Sequence, residues 1–222
     1  MLERIDILLD DLSYTNSTIA LFGVGGVGGF VLEALVRSGI KRIDIYDFDR
    51  IDVTNLNRQI ISTSLNIGQV KTEAAKNRAY EINPELIINA HNVFIDSTTI
   101  NNIDFSKYDY VIDAIDTVKS KIQIISKCKE LNIGIISSMG TGKRLNPEYL
   151  TITDIFKTEG DPLAKLVRKE CRNLGIKHLN VCYSKELPME CKTNDIGSMI
   201  FVPASAGLLI ASFVIKELRE KK

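Results

Sequence analysis

Apolar and polar positions follow two rhythms along the chain. TIALF, Thr18 to Phe22, is almost continuously apolar, as a strand covered on both faces must be. Glycines follow, and from Val27 to Ser38 apolar residues recur at three- and four-residue intervals, which predicts a helix closed by Gly39. Arg42 to Tyr46 predicts a second strand. After a loop rich in Asp, Asn and Thr, a helix is expected from about Gln69 to Ile82, stopped by Asn83 and Pro84. LIINAHN, YDYVIDAID and IGIISS predict three further strands, with a helix from Val118 to Leu131 between the last two.

Strands alternating with helices imply an α/β fold, a Rossmann-like doubly wound sheet that is mainly parallel. The later pattern departs from that rhythm: a strand at YLTIT, a helix after GDP, a strand at HLNVCYS and a polar stretch from Lys185 to Asp195. These later strands are expected as antiparallel additions. Ile196 to Ile215 carries no charge and is long enough, at roughly 20 residues, to cross a bilayer. Pro203 divides it into an expected strand, Ser198 to Val202, and a helix whose small residues suit close contact, so a buried or dimer-facing helix and no membrane span is the expectation.

The chain has 222 residues, 45% of them hydrophobic, enough to bury one sizeable core, so a single domain over 1–222 is expected. Its 28 basic residues balance its 28 acidic ones, so a polyanion would have to meet a local patch. MLERIDILLDD lacks the basic flank and apolar run of a secretory signal, which points to the cytoplasm. Cys128, Cys171, Cys182 and Cys191 form no Cys-x-x-Cys pair, and His91 and His178 have no ligand partner at useful spacing. Reduced thiols, structural histidines and no zinc site follow.

The chemistry concentrates at predicted strand ends. In GVGGVG, Gly23 permits the turn out of the strand, Gly25 and Gly26 let a phosphate approach the backbone, and Gly28 lets helix and sheet come close. Asp47 follows at the spacing of a carboxylate that meets ribose hydroxyls, with Asp49 two positions on. This implies an adenosine phosphate without saying which one. GTGK, Gly140 to Lys143, lacks the longer Walker spacing. A dehydrogenase needs a nicotinamide pocket, whereas adenylation must manage a triphosphate, and the following residues favour the second. In DFDRIDVTNLNRQI, Asn55, Arg58 and Gln59 stand just past a strand end, and Lys71 opens the next helix. Arg58 can fork onto phosphate oxygens while Lys71 adds a compact charge. Asp113 and Asp116 end the fourth strand; one carboxylate such as Asp116, with phosphate oxygens, would hold Mg²⁺, and Asp113 can instead serve packing or loop hydrogen bonds.

These motifs in this order resemble the ThiF/MoeB superfamily of ubiquitin-activating-type adenylating enzymes, through GVGGVG, DFDRIDVTNLNRQ, GQVK and DAIDT. The second half resembles its tRNA threonylcarbamoyladenosine dehydratase branch, in SSMGTGKRLNPEYLTITDIFKTEGDPLAKLVRKECRNLGIKHLNVCYSKELP and GSMIFVPASAGLLIASFVIKEL. The resemblance implies ATP and Mg²⁺ as cofactors, Asp47 on the ribose, Asn55, Arg58 and Lys71 on the triphosphate, and Asp116 on the metal. It also implies a homodimer in which Arg4 reaches the partner's phosphates, and admits a sulfurtransferase-type protein partner. The reaction implied is adenylation of the threonylcarbamoyl carboxylate beside a tRNA anticodon, then cyclisation with loss of AMP. The alternatives are adenylation of the C-terminal glycine of a sulfur-carrier protein and, from another class, a nicotinamide dehydrogenase.

Some relatives of this branch carry a cysteine near the final helix, where this chain reads IGSMIFVPASAG; Cys182 or Cys191 could substitute, and an idle thiol is the default. In GDPLAKLVRKECRNLG, Leu163, Leu166, Val167, Cys171 and Leu174 are expected on one helix face, with Lys165, Arg168, Lys169 and Arg172 opposite. Charge alone leaves a tRNA-binding face and an ordinary solvated face evenly matched; the resemblance favours tRNA.

Overall fold

A computed structural model describes residues 1–190 and 196–220. A short N-terminal helix, α1 (Glu3–Asp6), precedes the alternation β1 (Thr18–Phe22), α2 (Gly28–Arg37), β2 (Arg42–Asp47), α3 (Lys71–Ile82), β3 (Ile87–Asn92), β4 (Tyr110–Asp113), α4 (Val118–Glu130) and β5 (Gly134–Ser138). The chain then adds β6 (Leu150–Asp154), α5 (Pro162–Asn173), β7 (Asn180–Ser184) and α6 (Phe201–Glu220). One seven-stranded sheet results, in the order β3-β2-β1-β4-β5-β7-β6. Every neighbouring pair is parallel except β6 with β7. The expected antiparallel addition is therefore β6, while β7 joins β5 in parallel.

Alternate residues of β1 feed two cores. Ile19 and Leu21 point into the layer with Val31, Leu35, Ile210 and Val214, under α2 and α6. Ala20 and Phe22 face Val111, Ile124, Ile125 and Val167, under α4 and α5. Burial of each large aliphatic side chain stabilises by about 1.5–3 kcal/mol, which accounts for the charge-free run in this interior strand. Strand order reverses between β1 and β4, and the crevice beyond their C-terminal ends is where an open sheet of this kind takes its ligand.

Two boundaries differ from expectation. Ser198 to Val202 forms no strand; α6 begins at Phe201, with Pro203 in its first turn, where a missing N–H costs nothing. Both sides of β7 are already occupied by β5 and β6, so this segment has no strand to pair with there. Val202, Ala206, Ile210 and Val214 recur at helical spacing and are buried, and a Cβ on Gly207 would lie 2.5 Å from the Val27 carbonyl oxygen. This apolar helix is thus seated directly on α2. The helix expected from Gln69 starts at Lys71, because Gly68 and Gln69 exchange hydrogen bonds with Ile51.

Candidate functional site

The glycine turn is dictated by backbone contact. Gly23 has φ +86°, and a Cβ there would sit 2.7 Å from the Ala114 carbonyl oxygen. At Gly28 a Cβ would lie 1.8 Å from the Gly23 oxygen, so only glycine fits. Gly25 and Gly26 have no such conflict: their nearest neighbours are the Gln59 amide at 3.7 Å and, for Gly26, Pro203 at 3.4 Å and Arg58 at 3.7 Å. Among the described residues, the N–H groups of Gly25, Gly26 and Val27 donate to no protein acceptor. Three unclaimed amides at the start of α2 suit a phosphate group.

Asp47 closes β2 beside this turn. Its carboxylate accepts the Val24 N–H at 2.8 Å and the Asp49 N–H at 2.9 Å. Burial raises its pKa, partly offset by those two donors. A carboxylate has about four acceptor sites, so two remain for ribose hydroxyls. Lys71 is buried and bound twice to Asp49, by its own N–H to the carbonyl oxygen at 3.0 Å and by Nζ to the carboxylate at 2.7 Å.

Asn55 ends a single 3₁₀ turn, Val53–Asn55, where a reciprocal capping box with Asp52 fixes it. From there the chain presents Arg58 and Gln59 to the glycines. Arg58 Nη1 donates to the Thr54 carbonyl at 2.7 Å and to Asn57 at 3.1 Å; its Nε and Nη2 bond to none of the described residues. Gln59 is buried with its Oε1 unpartnered. The structure thus gathers Gly23, Gly25, Gly26, Gly28, Asp47, Asp49, Asn55, Arg58, Gln59 and Lys71 at one edge of the sheet.

Asp116 belongs to the turn between β4 and α4 that touches Gly23. It is exposed, and its hydrogen-bond partner is the neighbouring Thr117 hydroxyl at 3.3 Å. Among the described residues no group of three or more potential metal ligands converges, so a cation here would rest on this carboxylate and on phosphate oxygens. Arg4 is not brought to this edge. Leu2, just before α1, packs on Gly39 at the opposite end of α2, about 15 Å along that helix.

Other side chains that the sequence singled out are committed elsewhere. On α5 the buried stripe is Ala164, Val167 and Cys171, and Leu166 and Leu174 are exposed, which corrects the expected apolar face. Arg168 turns inward and donates to the Thr158 carbonyl at 2.8 Å and hydroxyl at 2.6 Å. Arg172 lies over the Phe156 ring, while Lys165 and Lys169 are exposed. His178 pairs with Asp154, and His91 stacks on Tyr46. Cys182 is fully buried, and burial pushes its thiol up to about 12, so it holds no reactive thiolate near neutral pH. Burial also raises Cys128, and takes Cys171 to about 11. Cys191 lies outside the described residues.

Asp113 makes the loop and packing hydrogen bonds that the sequence allowed it, but its partner Lys121 and a second buried pair carried no local signal. Asp113 pairs with Lys121 beneath the Asp116 turn, and Asp161 pairs with Arg144 at 2.8 Å beneath the loop after β5. Their members lie 8 and 17 positions apart, beyond one helical turn, so only an unexplained charge inside an apolar pattern could have flagged them.

Comparison with known proteins gives the chain a family and a fold. The ThiF family model matches residues 9–220. A tRNA threonylcarbamoyladenosine dehydratase of Bacillus subtilis is 39% identical over 91% of this chain and 87% of its own length. One from Haemophilus influenzae is 36% identical over 92% and 86%. The solved structure of the E. coli tRNA N6-threonylcarbamoyladenosine dehydratase, TcdA, in complex with ATP superposes with a TM-score of 0.88 at 31% identity, covering 94% of this chain and 88% of that one.

Proposed function

The chain belongs to the ThiF family, and from that premise we propose that it is an ATP-dependent tRNA threonylcarbamoyladenosine dehydratase. One observation carries this reading beyond nucleotide binding. The correspondence with the ATP-bound dehydratase covers 94% of the chain, and so includes β5 to α6 as well as the glycine turn.

In the proposed reaction the threonylcarbamoyl carboxylate attacks the α-phosphorus of ATP and pyrophosphate leaves. The carbamoyl group then attacks the activated carbonyl, a ring closes, and AMP departs. Charge grows on phosphate oxygens in the first step, and fixed cations aimed there lower its barrier. Arg58, with Nε and Nη2 open, and Lys71, once Asp49 yields its ammonium, supply that charge. Asp47 holds the ribose, and Asn55, Gln59 and the free amides of Gly25 and Gly26 hold the triphosphate. Asp116 would hold Mg²⁺, which when bound neutralises phosphate charge. Ring closure draws on proximity within one substrate and needs no enzyme nucleophile, in keeping with the suppressed thiols of Cys128, Cys171 and Cys182.

The exposed Lys165 and Lys169, with Arg172 beside them, would meet the tRNA backbone; Arg168 is already engaged with Thr158 and contributes less. A homodimer would cover Ile7 and Leu8, 85% and 80% exposed just beyond Arg4, and could carry that arginine to a partner's nucleotide. A cytoplasmic setting suits the free thiols. The test is pyrophosphate exchange. Stimulation by tRNA carrying threonylcarbamoyladenosine is expected; stimulation only by a diglycine-tailed carrier protein would overturn the reading.

A further inference from the structure

We propose that the buried network Lys121–Asp113–Ser137 is a positioning device that sets Asp116 against the glycine cradle, so that Lys121 serves the reaction through Asp116 without touching substrate. The proposal rests on the reading of Asp116 as the carboxylate that meets the metal–nucleotide complex.

Lys121 and Asp113 side chains are both 0% exposed, with Nζ 3.0 Å from Oδ2. Ser137 donates to the same carboxylate oxygen at 2.5 Å and accepts from Lys121 Nζ at 3.2 Å. The other oxygen, Oδ1, accepts the Ile115 N–H at 3.2 Å. Three elements meet in this one cluster. Asp113 ends β4, Ser137 is its register partner on β5, and Lys121 comes from the first turns of α4.

Two hydrogen bonds hold the turn leading to Asp116, one of them from the network. Ala114 donates its N–H to Phe22 on β1 at 2.7 Å, and its carbonyl touches the space above Gly23. Asp113 fixes Ile115 from below. Asp116 itself has the weak Thr117 contact and solvent around it, so its place relative to the glycine amides is set by the turn. Stability does not account for the arrangement, because taking two charges out of water is costly and an apolar pair of similar volume is often as stable. What an apolar pair could not do is direct a hydrogen bond at Ile115 and fix the spacing between Asp116 and the phosphate cradle. Partners of a metal-facing carboxylate commonly matter through such orientation.

The test is the paired variant D113L/K121M, which removes both charges together, leaves neither orphaned and takes the acceptor from the Ile115 N–H. Four measurements are compared with wild type: melting temperature, metal-free ATP affinity, Mn²⁺ affinity in the presence of a non-hydrolysable ATP analogue read by electron paramagnetic resonance, and kcat against KM for pyrophosphate exchange. The expected result is a Mn²⁺ affinity and a kcat each lowered by about 10–100-fold, with ATP affinity and KM(ATP) nearly unchanged. Unchanged Mn²⁺ affinity and kcat in a folded variant would overturn the proposal. If the paired variant fails to fold, Ser137→Ala keeps the ion pair and is read the same way, with a smaller loss in both quantities expected and no loss overturning it. Asp116→Ala separates the two ideas: if it leaves Mn²⁺ affinity intact, the reading of Asp116 falls; if it abolishes Mn²⁺ binding while the network variants do not, the positioning proposal alone falls.

Discussion

The nucleotide half, β1 through the Asp116 turn, and the second half, β5 through the start of α6, differ in how much hydrogen-bonding capacity their polar residues leave open. In the first, shape is set by backbone contacts at Gly23 and Gly28, and side chains at the edge are left with bonding capacity to spare: two nitrogens of Arg58, Oε1 of Gln59, most of Asp116. In the second, polar groups consume one another. Arg144 binds Asp161, the Glu186 carbonyl and the Gly142 carbonyl, and Glu186 accepts from Leu145 and Asn146. Arg168 is spent on Thr158. A cationic group left open by the fold, as in Arg58, is a guide to where an anionic ligand binds; a partnered one holds loops, as Arg144 does, or must first be released, as Lys71 must from Asp49.

The contrast can be broken at several strengths. Gly28→Ala should be the most damaging, because its Cβ would meet backbone at 1.8 Å, which no side-chain movement relieves. Loss of ATP binding by calorimetric titration, with a stability loss above about 3 kcal/mol in denaturant melts, is expected. Arg144→Ala should cost about 3–5 kcal/mol, by leaving Asp161 buried and unpaired, in the same melts. Arg58→Ala, in the half with open groups, should leave the melting temperature within a few degrees and lower kcat for pyrophosphate exchange by about 10²-fold. If Arg58 proved structural and Arg144 catalytic, the comparison would be reversed.

Weaker effects sharpen it further. Lys165→Glu with Lys169→Glu should reduce tRNA affinity and flatten its salt dependence by about one to two units of log–log slope, leaving ATP affinity unchanged in filter-binding and titration assays. Lys143 has φ +59°, its N–H bonded to Gly197 and its carbonyl to Met189. Lys143→Gly should therefore raise stability by about 1 kcal/mol, seen as a melting temperature a few degrees higher.

Much of the nucleotide half was legible because its determinants are local. A glycine cluster after an apolar strand, a carboxylate at the next strand end and polar residues just beyond it stay close in sequence, and the fold brings them together. Lys121 was not legible: its partners lie 8 and 16 positions away and nothing local marks them as buried. On α5, counting Leu166 and Leu174 as core rotated the apolar stripe by about one residue and sent Arg168 outward. The stripe that forms runs through Ala164, Val167 and Cys171, with Arg168 at its edge. At Ser198 to Val202 an apolar run before proline read as a strand, but no strand edge was open beside β7 and α2 offered a seat for a helix.

The most direct measurement follows the oxygen atoms. Modified tRNA carrying heavy oxygen in its threonylcarbamoyl carboxylate is incubated with the protein and ATP, and the nucleosides and nucleotides are weighed by mass spectrometry. Carboxylate attack on the α-phosphorus predicts AMP that carries one heavy oxygen and a modified adenosine lighter by one water. Label appearing in orthophosphate with ADP as product, or AMP free of label, would contradict it.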